Sequence, residues 1–166
     1  MHGIMVQTGE TMNNMEIKEW RHAVYLLPLR EIDGKKQIAF LVYKNGWHTM
    51  IGGRQDEGEA PRQAICREVC EELGDDAKCI AECAIEISEK YRRQVHDVER
   101  RGARNEEHTF FVAKVPADIE FNINQEDLCG CEIMWVDIDE LKNSTVAEFR
   151  DTRENVRAMI KFIEKL

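Results

Sequence analysis

The stretch Gly52–Asp76, GGRQDEGEAPRQAICREVCEELGDD, leaves the chain few conformational choices. Pro61 suits the first position of a helix, where its missing N–H loses no hydrogen bond, and Gly74 suits the residue just past the end. The spacing therefore predicts a helix over Pro61–Leu73. At about 100° per residue, Ile65, Cys66, Val69, Cys70 and Leu73 share one arc, while Glu68, Glu71 and Glu72 share the opposite one. One side of the helix packs, and the other is a comb of carboxylates.

Glu68 and Glu72 are four residues apart, so they stack one turn above the other with Glu71 beside them, and like charges so placed weaken a helix. A solvated acidic face is the ordinary explanation of such a helix. A divalent cation is the alternative that would offset the repulsion. Hard oxygen ligands favour Mg²⁺, Mn²⁺ or Ca²⁺ over soft metals, and Mg²⁺ is usually held by one or two carboxylates together with waters and substrate phosphates.

The offsets within this stretch resemble the Nudix box of the MutT-like hydrolases, G-x5-E-x7-R-E-U-x-E-E-x-G-U, with U a bulky aliphatic residue. Gly53, Glu59, Arg67, Glu68, Val69, Glu71, Glu72 and Gly74 fall in place, and only Asp75 departs, standing where an aliphatic residue is expected. The resemblance implies an α/β fold, a Nudix-type α/β/α sandwich with a mixed β-sheet between helices. It also implies a metal-dependent hydrolase cleaving the pyrophosphate linkage of a nucleoside di- or triphosphate derivative, with Mg²⁺ or Mn²⁺ as cofactor. Glu68 and Glu72 are the expected ligands, with Glu71 a further ligand or base and the Gly53 carbonyl completing the shell. Arg67 is expected to project away from the comb and to orient the site through a bidentate pair with Glu59. A carboxylate from outside the box is expected as well, Glu107 first, then Glu106 and Glu132. A module that keeps the fold and binds nucleotides without cleaving them is the alternative, and retention of every box acid argues against it.

At 166 residues one compact domain is expected, residues 16–166, preceded by a loose arm over residues 1–15. A formal charge of -9 argues against a general nucleic-acid binder, because phosphate contacts need a basic surface. No apolar run approaches the roughly 18 residues of a membrane span. The first fifteen residues carry neither Lys or Arg nor a hydrophobic core segment, so the chain reads as cytoplasmic. The six cysteines form no paired CxxC motif and read as small buried hydrophobes rather than disulfides or zinc ligands. The oligomeric state is open, and a homodimer is compatible with the sequence.

Along the chain, Arg21–Arg30 and Gln37–Lys44 read as buried strands joined by a turn at Asp33-Gly34. Trp47–Ile51 is a short strand delivering the chain to Gly52, and Lys78–Ile87 reads as another strand. Ser88–Glu107 reads as a long polar connection, and from Lys90 to Arg104 six Lys/Arg face only Asp97 and Glu99, a net of +4 suited to phosphate. Within it, Tyr91 lies sixteen residues past Asp75, similar to a tyrosine of dinucleoside-polyphosphate-cleaving Nudix members. Tyr91 and Arg92 are therefore expected substrate contacts, and Trp47 and Trp135 are candidates to stack on a base. His108–Val115 and Cys131–Val136 read as strands and Asp137–Leu141 as a helical turn. A C-terminal helix capped by Asp151 follows, with Val156, Met159, Ile160 and Ile163 at helical spacing.

Overall fold

The structure is a computed structural model describing residues 20–97, 102–124, 126, 128–143 and 150–166. The arm expected over residues 1–15 lies outside the described residues. The long strand β1 (Trp20–Ile32) turns tightly into β2 (Lys35–Val42). Asp33 and Gly34 both take positive φ, 52° and 75°, the left-handed pair that matches the twist of a two-residue hairpin.

The short β3 (His48–Thr49) and β4 (Ile51–Arg54) follow, divided at Met50, so the single strand expected over Trp47–Ile51 is two. β4 pairs with Ala23–Leu26 of β1, and β2 pairs with Leu29–Ile32 along the same edge. Pro28 falls in the gap between these two ladders, where no antiparallel partner needs its missing N–H. Along its other edge β1 runs parallel to β7 (Gly102–Lys114), and every other ladder is antiparallel. β5 (Ile85–Glu86) and β6 (Tyr91–Asp97) pair with β7, and β8 (Glu132–Asp137) pairs with β2, completing a mixed sheet.

Strand alternation gives the sheet two apolar faces. Val24, Leu26, Leu41, Ile51 and Phe111 meet Ala64, Ile65, Val69 and Leu73 of helix α1 (Pro61–Leu73). Leu27, Leu29, Ile38, Phe40, Phe110 and Val112 meet α3 (Ile138–Asn143) and α4 (Arg150–Ile163), through Ile138, Leu141, Val156, Met159, Ile160 and Ile163. The result is the α/β/α sandwich that the sequence predicts. α4 begins at Arg150, which places Asp151 inside the first turn rather than at the cap.

Two segments differ from expectation. Lys78–Cys83 is a helix, α2, and only Ile85–Glu86 is extended. Ala77, Ala81 and Ala84 recur at helical spacing and are buried against α1, and the Arg62 guanidinium closes the end of the segment by donating to the carbonyls of Ala81 and Ala84 at 2.9 and 2.6 Å. The polar connection Ser88–Glu107 is mostly the β6–β7 ribbon. Among its described side chains the charges form cross-strand pairs: Arg92 faces Glu107 and Arg93 faces Glu106 in the ladder, with guanidinium-to-carboxylate distances of 2.7 and 2.9 Å, while Arg100, Arg101 and the Arg104 side chain lie outside the described residues. With Lys90 bonded to Glu86, these cations are engaged by acids rather than free to face phosphate.

Candidate active site

α1 starts with Ala60 in extended conformation and Pro61 in its first turn, and the Ala60 N–H donates to the Gln63 side chain at 3.0 Å, half of a capping box. At the other end Asn124 holds the last turn: its N–H donates to the Glu72 carbonyl at 2.7 Å and its side-chain amide to the Glu71 carbonyl at 2.9 Å. Nothing local to α1 announces Asn124, which arrives from a segment fifty residues later. Asp75, the one residue off the box pattern, is exposed, and Ala77 fills the apolar slot behind it.

The acids of α1 meet the backbone of β4. The Gly52 N–H donates to Glu72 Oε2 at 2.8 Å. A Cβ on Gly53 would lie 2.6 Å from Glu68 Oε2, so the carboxylate occupies the space a side chain would take. Gly52 itself sits at φ 129°, and a Cβ there would fall 2.2 Å from the Val24 carbonyl oxygen. The glycine pair thus lets the helix acids lie against the main chain.

Arg67 ties the site together. Its Nε and Nη2 donate to the two oxygens of Glu59 at 3.0 Å each, a bidentate fork. Its Nη2 also donates to the Arg54 carbonyl at 2.9 Å, and its Nη1 to Glu68 Oε1 at 2.9 Å with Glu71 at 3.3 Å. The guanidinium therefore leans over the comb instead of projecting away from it. A planar fork with five donors reaches acids on both sides, which a spacing argument on one helix does not capture.

The electrostatics separate the acids. Hydrogen bonding to Arg67 holds the Glu59 carboxyl below its ordinary value. Burial pushes Glu68 up despite its bond to Arg67, and pushes Glu72 up to about 8 despite the Gly52 N–H, with Glu68 and Glu71 adding repulsion. Glu71 is more than half exposed. Two stacked carboxylates whose charge is disfavoured are suited to an added cation.

The donor set fits a hard divalent ion: the Glu68 and Glu72 carboxylates and the Gly53 carbonyl are all oxygen, next to a solvent-facing Glu71. Among the described residues no three His, Cys, Asp or Glu side chains form a closed cage. Mg²⁺ does not require one, since waters and substrate phosphates supply the remaining positions.

The other expected contacts are dispersed. Glu107 accepts from Arg92 and lies 3.4 Å from His22 on the α1 face of the sheet. Glu106 points to the opposite face, buried beside Arg93, His108 and Tyr25. Glu132 is exposed at the first position of β8. Neighbouring strand residues alternate, so Tyr91 packs on the α4 side with its ring 5.8 Å from His108, while Arg92 sits on the α1 side. Trp135 stacks on Phe121 and beneath the Arg30 guanidinium, and Trp47 is exposed in the turn after β2.

A sandwich whose sheet edge meets an acid-lined helix through two glycines and an Arg–Glu fork defines a Nudix hydrolase. The NUDIX domain model matches residues 18–157, and the chain belongs to that family. Solved structures of similar fold include an Ap4A hydrolase from C. elegans, at 19% identity and TM-score 0.57 over 87% of this chain and 99% of that one. They also include RenU, a Nudix hydrolase from M. smegmatis, at 20% identity and TM-score 0.58 over 87% and 89%. A third is the dihydroneopterin triphosphate pyrophosphohydrolase of E. coli, at 18% identity and TM-score 0.52 over 81% and 92%. No curated protein matches the chain in sequence. Among the described residues no helix is long and apolar enough to cross a membrane.

Proposed function

We propose that this hydrolase cleaves the pyrophosphate linkage of a nucleoside di- or triphosphate derivative, with Mg²⁺ or Mn²⁺ held by Glu68, Glu72 and the Gly53 carbonyl. The observation that carries the reading is the pair of carboxylates stacked one turn apart and pressed onto the Gly52–Gly53 backbone, where burial disfavours their charge. A bound divalent ion neutralises phosphoanhydride charge and lowers the pKa of a water. The protein's own part is positional. The Gly52 N–H fixes one oxygen of Glu72, and the Arg67 fork fixes Glu59 and Glu68, so the acids are ordered before substrate arrives. Glu71, exposed beside them, is placed to ligate or to accept a proton.

Structures with this fold that are described as an Ap4A hydrolase and a dihydroneopterin triphosphate pyrophosphohydrolase support the substrate class. The test is release of phosphate or pyrophosphate from a panel of nucleoside triphosphates, dinucleoside polyphosphates and nucleotide sugars, with Mg²⁺ and with chelator. Turnover is expected only with the metal, and Glu72→Gln is expected to cut kcat/KM by about 100-fold or more, the scale of losing one preorganised group that stabilises charge. Metal-independent turnover, or a Glu72→Gln enzyme at full rate, overturns the assignment.

A further inference from the structure

Of the six cysteines, Cys131 is the small buried hydrophobe that the sequence predicts, 3% exposed in the cluster under α1, whereas Cys129 two residues earlier is exposed. Among the described residues no hydrogen bond reaches the Cys131 thiol. Gly130 divides the pair at φ 73°, a left-handed conformation that closes the turn in which the Cys131 N–H donates to the Leu128 carbonyl at 2.9 Å. The Lys44 side chain crosses this glycine, and a Cβ there would stand 2.8 Å from its Nζ. Two residues span at most about 7 Å when fully extended, and a turn is shorter, so the Cα atoms of Cys129 and Cys131 fall in the range of about 4.4–6.8 Å that a disulfide bridges.

Main-chain bonds join this turn to the acid-bearing end of α1. The Leu128 N–H donates to the Asn124 carbonyl at 2.9 Å, and Asn124 is the residue that holds the Glu72 and Glu71 carbonyls at 2.7 and 2.9 Å. Leu128 itself is buried against the same helix. One thiol faces solvent and the other the core, so joining them requires the chain to rotate at Gly130, which has no Cβ to oppose it. Rotation there pulls on the Leu128–Cys131 bond and, one turn further back, on Asn124.

We infer that Cys129 and Cys131 are an oxidant-sensitive dithiol, a modification site whose disulfide loosens the hold of Asn124 on the last turn of α1. Exposed Cys129 meets a hydroperoxide first. Its sulfur takes one oxygen and becomes a sulfenic acid, and the hydroperoxide leaves as an alcohol, or as water where it is hydrogen peroxide. The Cys131 sulfur then displaces that oxygen: the S–S bond forms, the S–O bond breaks, and the hydroxyl departs with the Cys131 proton as water. The two thiols together lose two electrons, which the hydroperoxide gains. Burial pushes the Cys131 thiol up, ahead of the charges of Glu72 and Cys129, so Cys131 stays protonated and covered while Cys129 reacts. A bond closed against the turn is strained, and strained disulfides are the readily reduced ones, so an added thiol restores the pair. The site itself is independent of the substrate, and only its effect on turnover rests on the hydrolase reading.

Tryptic cleavage after Lys114 and Lys142 releases one peptide that carries both cysteines and none of the other four. After hydrogen peroxide treatment of the full chain, this peptide is expected to lose two hydrogens and its capacity for alkylation, ahead of the peptides holding Cys66, Cys70, Cys79 and Cys83. Dithiothreitol is expected to restore both. Cys129→Ser is expected to leave Cys131 open to alkylation under the same treatment, and Cys131→Ser to stop Cys129 at a sulfenic acid that dimedone labels. Melting temperatures report the folding of both variants. A wild-type peptide that stays fully alkylatable while other cysteines oxidise overturns the site, as does Cys129 passing to sulfinic acid with no cross-link. Metal-dependent turnover of the cross-linked protein is expected to fall about tenfold, the scale of displacing a positioned group, with Cys129→Ser unaffected by peroxide. Full turnover of the cross-linked protein overturns the link through Asn124. If the reduced protein cleaves no anhydride, the hydrolase reading fails while the peptide still decides the dithiol.

Discussion

Gly53 is constrained by the carboxylate beside it. Its backbone needs no unusual φ, so the requirement is for space: the atom that alanine would add sits 2.6 Å from Glu68 Oε2 and 2.8 Å from its carboxyl carbon. Because Glu68 is also held by Arg67, relief must come from moving the acid off its place. Gly53→Ala is therefore expected to fold with a melting temperature within a few degrees of wild type and to lose about tenfold or more of metal-dependent kcat/KM, since a displacement of about 1 Å in a positioned group costs that much and more. Parallel melting curves and a Mg²⁺ titration of activity check it, and a Gly53→Ala enzyme with unchanged kinetics contradicts the packing. Gly53, Glu59, Arg67, Glu68 and Glu72 were legible in the sequence because each acts through geometry local to one turn and one helix. Asn124 was not, because it reaches the last turn of α1 from a segment some fifty residues later in the chain.

At the scale of elements, α1 was legible to the residue because Pro61 and Gly74 mark its ends chemically and its apolar arc has one period. α2 was missed because alternating small and apolar residues suit a strand as well, and the choice falls to the alanine stripe buried on α1 and to Arg62, whose side chain satisfies its final carbonyls. The β6–β7 ribbon was missed because its stabilising pairs join residues 13 to 15 positions apart, which no window of one strand displays. The arc itself is uneven: Ile65, Val69 and Leu73 are buried, whereas Cys66 and Cys70 are only partly covered. Burying the Ile65 side chain anchors the acid-bearing helix to the sheet, so Ile65→Ala is expected to cost about 2–5 kcal/mol. Cys66→Ala, at the edge of the contact, is expected to cost under about 1 kcal/mol. Urea midpoints at constant slope measure both, and equal costs would mean that the helix packs through a different face.

Across the whole molecule, two interior groups on different sides of the sheet tilt stability in opposite directions as pH changes. Without metal, Glu72 titrates near 8 in the folded protein and near 4.5 when unfolded, so the unfolded chain releases its proton first and stability falls as pH rises through that interval. His108 is the converse. It is buried against Tyr25, Tyr91 and Phe110, and its Nδ1 has no hydrogen-bond partner. Burial and the Arg93 charge push its pKa down, and the Glu106 carboxylate, 3.3 Å from Nε2, only partly offsets them. The unfolded chain therefore binds a proton near pH 6.5 that the folded chain refuses. The stability that neutral His108 contributes is present above that pH and is lost as pH falls below it. Phenylalanine fills the same aromatic nest without titrating, so in chelator the difference in urea midpoint between His108→Phe and wild type is expected to grow in favour of the variant from about pH 7.5 to about pH 5.5. Comparing variant with parent cancels the opposing Glu72 slope, which both share. A constant difference across that interval would mean that His108 takes up its proton as readily in the folded protein as in the unfolded chain.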